Sequence, residues 1–282
     1  SKITFDEKNP KNIKYIINGS VSDAEIKLLN QSKIENINFD FLVDQDVVNL
    51  NGIELSSDKI SVTSEKISIK KINKSTGISG NFKTKKTKIN LKNYKKIINI
   101  NLDLIDDRPI DLSSDNNISF KINKKFKIED LSIISKLNFD ELFTKSKYQD
   151  LIYLNNGNIL INYTKEEFKI NLNSKFHFQN KNYNNKESEN LFKLIYKKKQ
   201  NKNALVNINL SNEKSKINSS EFKDFFRFKN FSLQDQDITF ASENIINFKL
   251  NETNKVQNFN IKSNIKTDNV LIDYKSQRVK KY

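Results

Sequence analysis

The chain of 282 residues has no cysteine, no methionine and no tryptophan, and only 5 glycines, 2 prolines and 1 histidine. Each shortage excludes chemistry. Without cysteine there is no disulfide framework, thiolate metal site or cysteine nucleophile. A single histidine leaves no histidine-based metal centre and no Ser-His-Asp triad. The five glycines form neither a GxGxxG nor a GxxxxGK[ST] phosphate cradle. No apolar run reaches the 18 residues of a transmembrane helix, and no signal peptide opens at Ser1. The missing initiator methionine reads as a processed chain or an excised piece. A membrane anchor of the native protein is expected outside this segment.

What is present is strongly skewed. Lys and Arg number 49 against 34 Asp and Glu, a formal charge of +15. Only Arg108, Arg227 and Arg278 are arginine; there are 44 Asn and 37 Ile but 3 Ala. Lys, Asn and Ile are the residues of A/T-rich codons, so part of the charge reflects genome composition. Hydrophobic residues make up 36%, below the usual range of about 45–50%. The many Ile and the 20 Phe nevertheless supply buried surface that a disordered chain lacks.

The dominant pattern has a period of two. Ile37, Phe39, Phe41 and Val43 alternate with Asn38, Asp40 and Leu42. Ile98, Ile100, Leu102 and Leu104 alternate with Asn99, Asn101 and Asp103. Phe168, Ile170, Leu172, Ser174, Phe176 and Phe178 form one parity class; Lys169, Asn171, Asn173, Lys175 and His177 form the other. Val206, Ile208 and Leu210, then Ile246, Phe248 and Leu250, then Phe259, Ile261, Ser263 and Ile265 follow the same rule. Alternate strand residues point to opposite faces, so each run has one oily and one polar face. The runs recur at hairpin spacing, and a sheet wetted on one face is antiparallel rather than parallel. The expected fold is therefore all-β: a long, curved, mainly antiparallel sheet forming a trough, with at most one or two short helices. The weak helical candidates are Asp140–Leu154, Glu187–Tyr196 and Ser220–Arg227. Pro109 in the segment DDRPID marks a bend or strand end, since it cannot donate to a ladder. It suggests a weak division into 1–105 and 106–282, which also reads as one continuous elongated domain.

No catalytic constellation emerges, so no enzyme and no cofactor are expected. The adjacent pairs Asp106/Asp107 and Glu166/Glu167 face opposite ways on a strand and read as solvated surface. His177 has polar parity and is expected on the outer face. The sequons at Asn18 and Asn162 are inevitable in so Asn-rich a chain. The Lys-rich stretches Lys83–Lys88, Lys197–Lys202 and Lys275–Lys281 suggest nucleic acid. Against it stand the scarcity of Arg, the interspersed Asp and Glu, and aromatics with apolar rather than polar parity. No nucleic acid is expected as a partner; Lys-mediated binding of a polyanion or nucleic acid is the third reading, with anionic headgroups as a further contact.

The oily face is the informative feature. If such strands form one sheet, the face is either buried in a closed sandwich core or left as a groove for acyl chains. Burial in such a groove gains about 0.8 kcal/mol per CH₂. Alternation alone admits both. The groove residues would be Ile37, Phe39, Phe41, Val43, Ile98, Ile100, Leu102, Phe168, Ile170, Leu172, Ile246 and Phe248.

The stretch Ile17–Leu91 carries a cadence of its own. A Gly opens a strand at Asn18-Gly19-Ser20; then come KIENINFDF, VVNLNGIEL and KISVTSEKISIKK; a second Gly opens at Ile78-Ser79-Gly80-Asn81-Phe82. Ile118–Phe139 has the same character. This resembles the AsmA-like repeat family, the group of TamB and YhdP, in the form found in A/T-rich Gram-negative bacteria. The resemblance spans about the first half; the second half matches in strand texture. It implies a periplasmic β-trough, tethered to the inner membrane in the full-length protein, that moves phospholipid toward the outer membrane. The implied partners are phospholipid or another acyl lipid and proteins of both membranes. The family brings no catalytic residues. The alternative is a structural or adhesive β-repeat domain with a closed core and no ligand.

Overall fold

The computed structural model describes residues 2–5, 13–27, 33–57, 60–90, 106, 108–143, 152–178, 190–219, 231–233, 237–268 and 272–274. Among these residues there are 16 strands and no helical element. They are β1 (Lys2–Phe5), β2 (Ile13–Lys27), β3 (Lys33–Val43), β4 (Val47–Ser57), β5 (Ile60–Ile72), β6 (Ser75–Ile89), β7 (Ile110–Ile122) and β8 (Ile128–Phe143). Then follow β9 (Ile152–Tyr163), β10 (Glu167–Phe178), β11 (Asn190–Lys199), β12 (Ala204–Asn218), β13 (Phe231–Leu233), β14 (Asp237–Leu250), β15 (Val256–Asp268) and β16 (Ile272–Tyr274). Fourteen of them form one antiparallel meander, β1 to β12 and then β14 and β15, while β13 and β16 pair with each other. β1 and β15 are not partners, so the sheet is open. It runs through the 105/106 region by way of the β6–β7 pair, and Pro109 sits just before β7.

Two expectations need revision. Asp140–Phe143 belongs to β8 and Asn190–Tyr196 to β11, where the weak helical spacing suggested helices. In both places apolar side chains lie on the two faces of one strand, which blurs the alternation. Ile152–Leu154 opens β9, and the remaining residues 144–151 and 187–189, the segment Ser220–Arg227 and the run Ile98–Leu104 lie outside the described residues.

The β3–β4, β5–β6, β7–β8, β9–β10, β11–β12 and β14–β15 turns fall at one end of the sheet, and asparagine shapes several of them. Among the described residues nine non-glycine residues have positive φ and six are Asn: Asn73, Asn201 and Asn254 in turns, and Asn36, Asn156 and Asn258 within strands. Asn visits the left-handed region at lower cost than other side chains, which is how a chain with few glycines makes tight hairpins. In the β7–β8 turn Asn123 Oδ1 accepts from the Lys125 and Lys127 amides, at 2.9 and 3.1 Å. In the β14–β15 turn Asn251 Oδ1 accepts from those of Thr253 and Lys255, at 3.0 and 2.8 Å.

These turns are one instance of a repeat of six strands, β3–β8 and β9–β15 (without β13). The β3–β4 turn has Asp44 N–H on Val47 O, with Lys71 N–H on Asp46 O; the β9–β10 turn has Thr164 N–H on Glu167 O, with Gln200 N–H on Glu166 O. Positive φ recurs in order at Asn36, Asn73, Phe126 and Asp130, then at Asn156, Asn201, Asn254 and Asn258. The register shifts Thr84/Thr87 and Ser119/Lys121 recur as Asn212/Ser215 and Asn247/Lys249. Once registered, IDLSSDNNISFKI of β7 aligns with ITFASENIINFKL, Ile238–Leu250 of β14.

Candidate functional site: the apolar face of the sheet

Residues directly opposite each other in an antiparallel pair share a face, so the register traces the face across the molecule. One row runs Phe41, Leu50, Ile67, Gly80, Ile118, Ile133, Tyr163 and Phe168. From β10 it continues as Ile170, Tyr196, Val206 and Phe248, and alongside as Leu172, Leu194, Ile208, Ile246 and Ile261. Ile37, Phe39 and Val43 alternate with Phe41 on β3 and oppose Ala24, Val21 and Ile17. Ile37, Phe39, Phe41, Val43, Phe168, Ile170, Leu172, Ile246 and Phe248 therefore lie on one common face. Ile98, Ile100 and Leu102 lie outside the described residues.

Along this face, burial is uneven. Ile110, Phe139, Leu154 and Phe176 form a buried cluster, flanked by Leu112, Leu142, Ile159, Leu172, Phe192 and Leu210. Phe139 is only 3% exposed. This cluster sits toward the end away from the β7–β8 and β9–β10 turns. Most other apolar-face residues stay partly exposed. Simple alternation does not find the cluster. Asn156 has φ 47° and an extra residue enters β9 there, so Leu154 and Ile159 share a face despite opposite parity. Gly157 belongs to the same feature: the Phe139 ring lies across it, and a Cβ at 157 would come within 2.0 Å of Phe139 Cζ.

Polar groups also lie on the apolar face, beside the register shifts. Asn116 Nδ2 donates to Phe82 O at 3.1 Å and to Ser114 Oγ at 2.8 Å. Asn116 Oδ1 accepts from Ser135 Oγ, and Thr84 and Ser114 share a hydrogen bond of 2.9 Å. The second unit repeats the cluster: Asn244 Nδ2 donates to Leu210 O and Ser242 Oγ, Ser263 Oγ donates to Asn244 Oδ1, and Ser242 Oγ donates to Asn212 Oδ1. Reading parity as purely apolar missed these clusters; Ser263 within an alternating run was the available signal.

On the opposite face Lys and Asn dominate, and several Lys are held in ion pairs. Lys33 bridges Glu25 and Glu35, Lys83 meets Glu65 at 2.7 Å, and Lys197 meets Glu167 at 2.9 Å. The Lys197 hydrogen bond lowers the Glu167 carboxyl below the usual carboxylate range. His177 is on this face and stacks on Tyr153 (5.2 Å between centroids). Tyr153 stacks on Phe143 (5.4 Å), and the Arg108 guanidinium carbon lies 3.6 Å from the centroid of that ring. Phe143 and Tyr153 are aromatics on the polar face, against expectation. Their flat faces are taken up by one another, by Arg108 and by His177. Among the described residues no group of three or more His, Asp or Glu could hold a metal, and no helix is long and apolar enough to cross a membrane.

Comparisons with family models, with curated proteins and with solved structures found no match to this chain.

Proposed function

We propose that the chain binds lipid acyl chains along its apolar face and conducts phospholipid as a periplasmic segment of an AsmA-like bridge protein. The observation that carries this reading is the continuity of the face: one register-linked surface of Ile, Leu and Phe across a single open sheet, much of it still partly exposed. Large exposed apolar patches on a folded chain mark binding surfaces. Each CH₂ laid on that face gains about 0.8 kcal/mol. The polar face serves as the wet exterior, and its Lys suit anionic headgroups. What favours this reading over the closed-core alternative is that fourteen strands form one sheet rather than two packed face to face. No catalytic residue and no cofactor enters this reading.

The test is mass spectrometry of lipid bound to the purified chain, with Phe39→Glu and Ile170→Glu as variants. The expected result is co-purified phospholipid that each variant loses at unchanged β-sheet circular dichroism. A lipid-free wild-type chain, or folded variants that keep their lipid, overturns it.

A further inference from the structure

The six-strand repeat gives every strand of the second unit a counterpart whose surroundings are known. β15 is the counterpart of β8: both follow a turn built on an Asn, carry a positive φ three residues in (Asp130 and Asn258), and pair across a shift at Ser119/Lys121 or Asn247/Lys249. They differ at the outer edge. β8 pairs there with β9, from Ile133 opposite Tyr163 to Phe143 opposite Tyr153, whereas no described strand pairs with the outer edge of β15. The same joint occurs earlier, where Ile17 to Val21 of β2 oppose Val43 to Phe39 of β3, the counterpart of β9.

Burial records the difference. Ser135 on β8 is 7% exposed, and Ile133 and Leu137 are half-buried under β9. Their counterparts on β15 are all exposed: Ser263, Ile261 at 53% and Ile265 at 39%. Phe259 is 59% exposed, and no residue of β15 is buried. An edge strand with an apolar stripe and unpaired backbone groups is a template for another strand, and no proline or inward-facing charge blunts this one.

We propose that the outer edge of β15 is a docking edge for the first strand of a further unit of the same repeat, a strand of the β3/β9 type joined antiparallel in the β8–β9 register. Recognition is by main-chain hydrogen bonds, with Phe259, Ile261 and Ile265 reading alternate apolar side chains. The proposal stands whether or not lipid occupies the apolar face.

The test uses the full chain and a synthetic peptide of β9, Ile152–Tyr163, with a scrambled peptide as control. Hydrogen exchange of the β15 amides is expected to slow about tenfold when the β9 peptide is at about ten times its Kd. The scrambled peptide is expected to have no effect. The exposed double variant Ile261→Lys, Ile265→Lys should remove the protection while exchange in β4 and β5 stays unchanged. Unchanged β15 exchange with the β9 peptide, or equal protection by the scrambled one, overturns the proposal. So does a peptide-free dimer, seen by sedimentation, whose β15 amides are already protected, since a second copy then holds the edge.

Discussion

Gly157 shows how tightly one position can be specified in a single-layer sheet. The Phe139 ring occupies the space where a side chain would stand. Gly157→Ala is expected to destabilise the chain by about 1–3 kcal/mol in urea unfolding, the usual cost of overpacking. Combined with Phe139→Leu, the loss should be smaller than the two single losses together, because the neighbours share one space. His177 gives a second prediction, in pH. Burial, and then the nearby Lys175 charge, hold its pKa below the ordinary value. The unfolded chain then takes up a proton near pH 6.5 that the folded chain resists, so stability rises with pH. The contribution is complete above about pH 6.5 and declines as pH falls from there toward the folded pKa. Melting temperatures measured from pH 7.5 to 5 should fall, and His177→Gln should flatten the slope over that window.

For the strands, the question is what sets their register. An Ile-x-Ile alternation is preserved by a slip of two residues, so hydrophobic pattern alone leaves register loose. The two Asn-Ser clusters are not preserved by such a slip. Asn116 ties β6, β7 and β8 together through Phe82 O, Ser114 and Ser135, beside the Thr84/Thr87 shift. Polar groups within apolar surroundings are best known for this registering role. Asn116→Ala is expected to cost about 1–3 kcal/mol, because it leaves the 7%-exposed Ser135 hydroxyl without its acceptor. The counterpart Asn244→Ala should cost less, because water can replace it on the exposed Ser263 of β15. Urea unfolding of both variants in parallel checks the order.

The fourteen-stranded sheet is a row in which each strand touches only the next in the order β1 to β12, β14, β15, the energetic form of a repeat protein. Stability should therefore be local. In Gly157→Ala, hydrogen exchange is expected to quicken in β8, β9 and β10 and to stay unchanged in β4 and β5; uniform acceleration would mean that the sheet opens as one unit. The same linear plan leaves the apolar face continuous from β2 to β15 and the last edge unpaired.

The amino-acid order carried the strands, the antiparallel meander and the side of each strand that is oily, because side-chain direction alternates with the backbone and needs no partner to be read. It placed His177 on the polar face for the same reason. Three things depended on how strands meet. Leu154 joins Ile159 on one face because of the extra residue at Asn156, and alternation across that point misleads. Phe143 and Tyr153 reach the polar face at strand ends, with Tyr153 stacked on both Phe143 and His177, although their residue types favour the interior. The common face and the six-strand repeat exist as relations of register between strands, and register is set by bulges and hydrogen-bonded side chains distant in sequence.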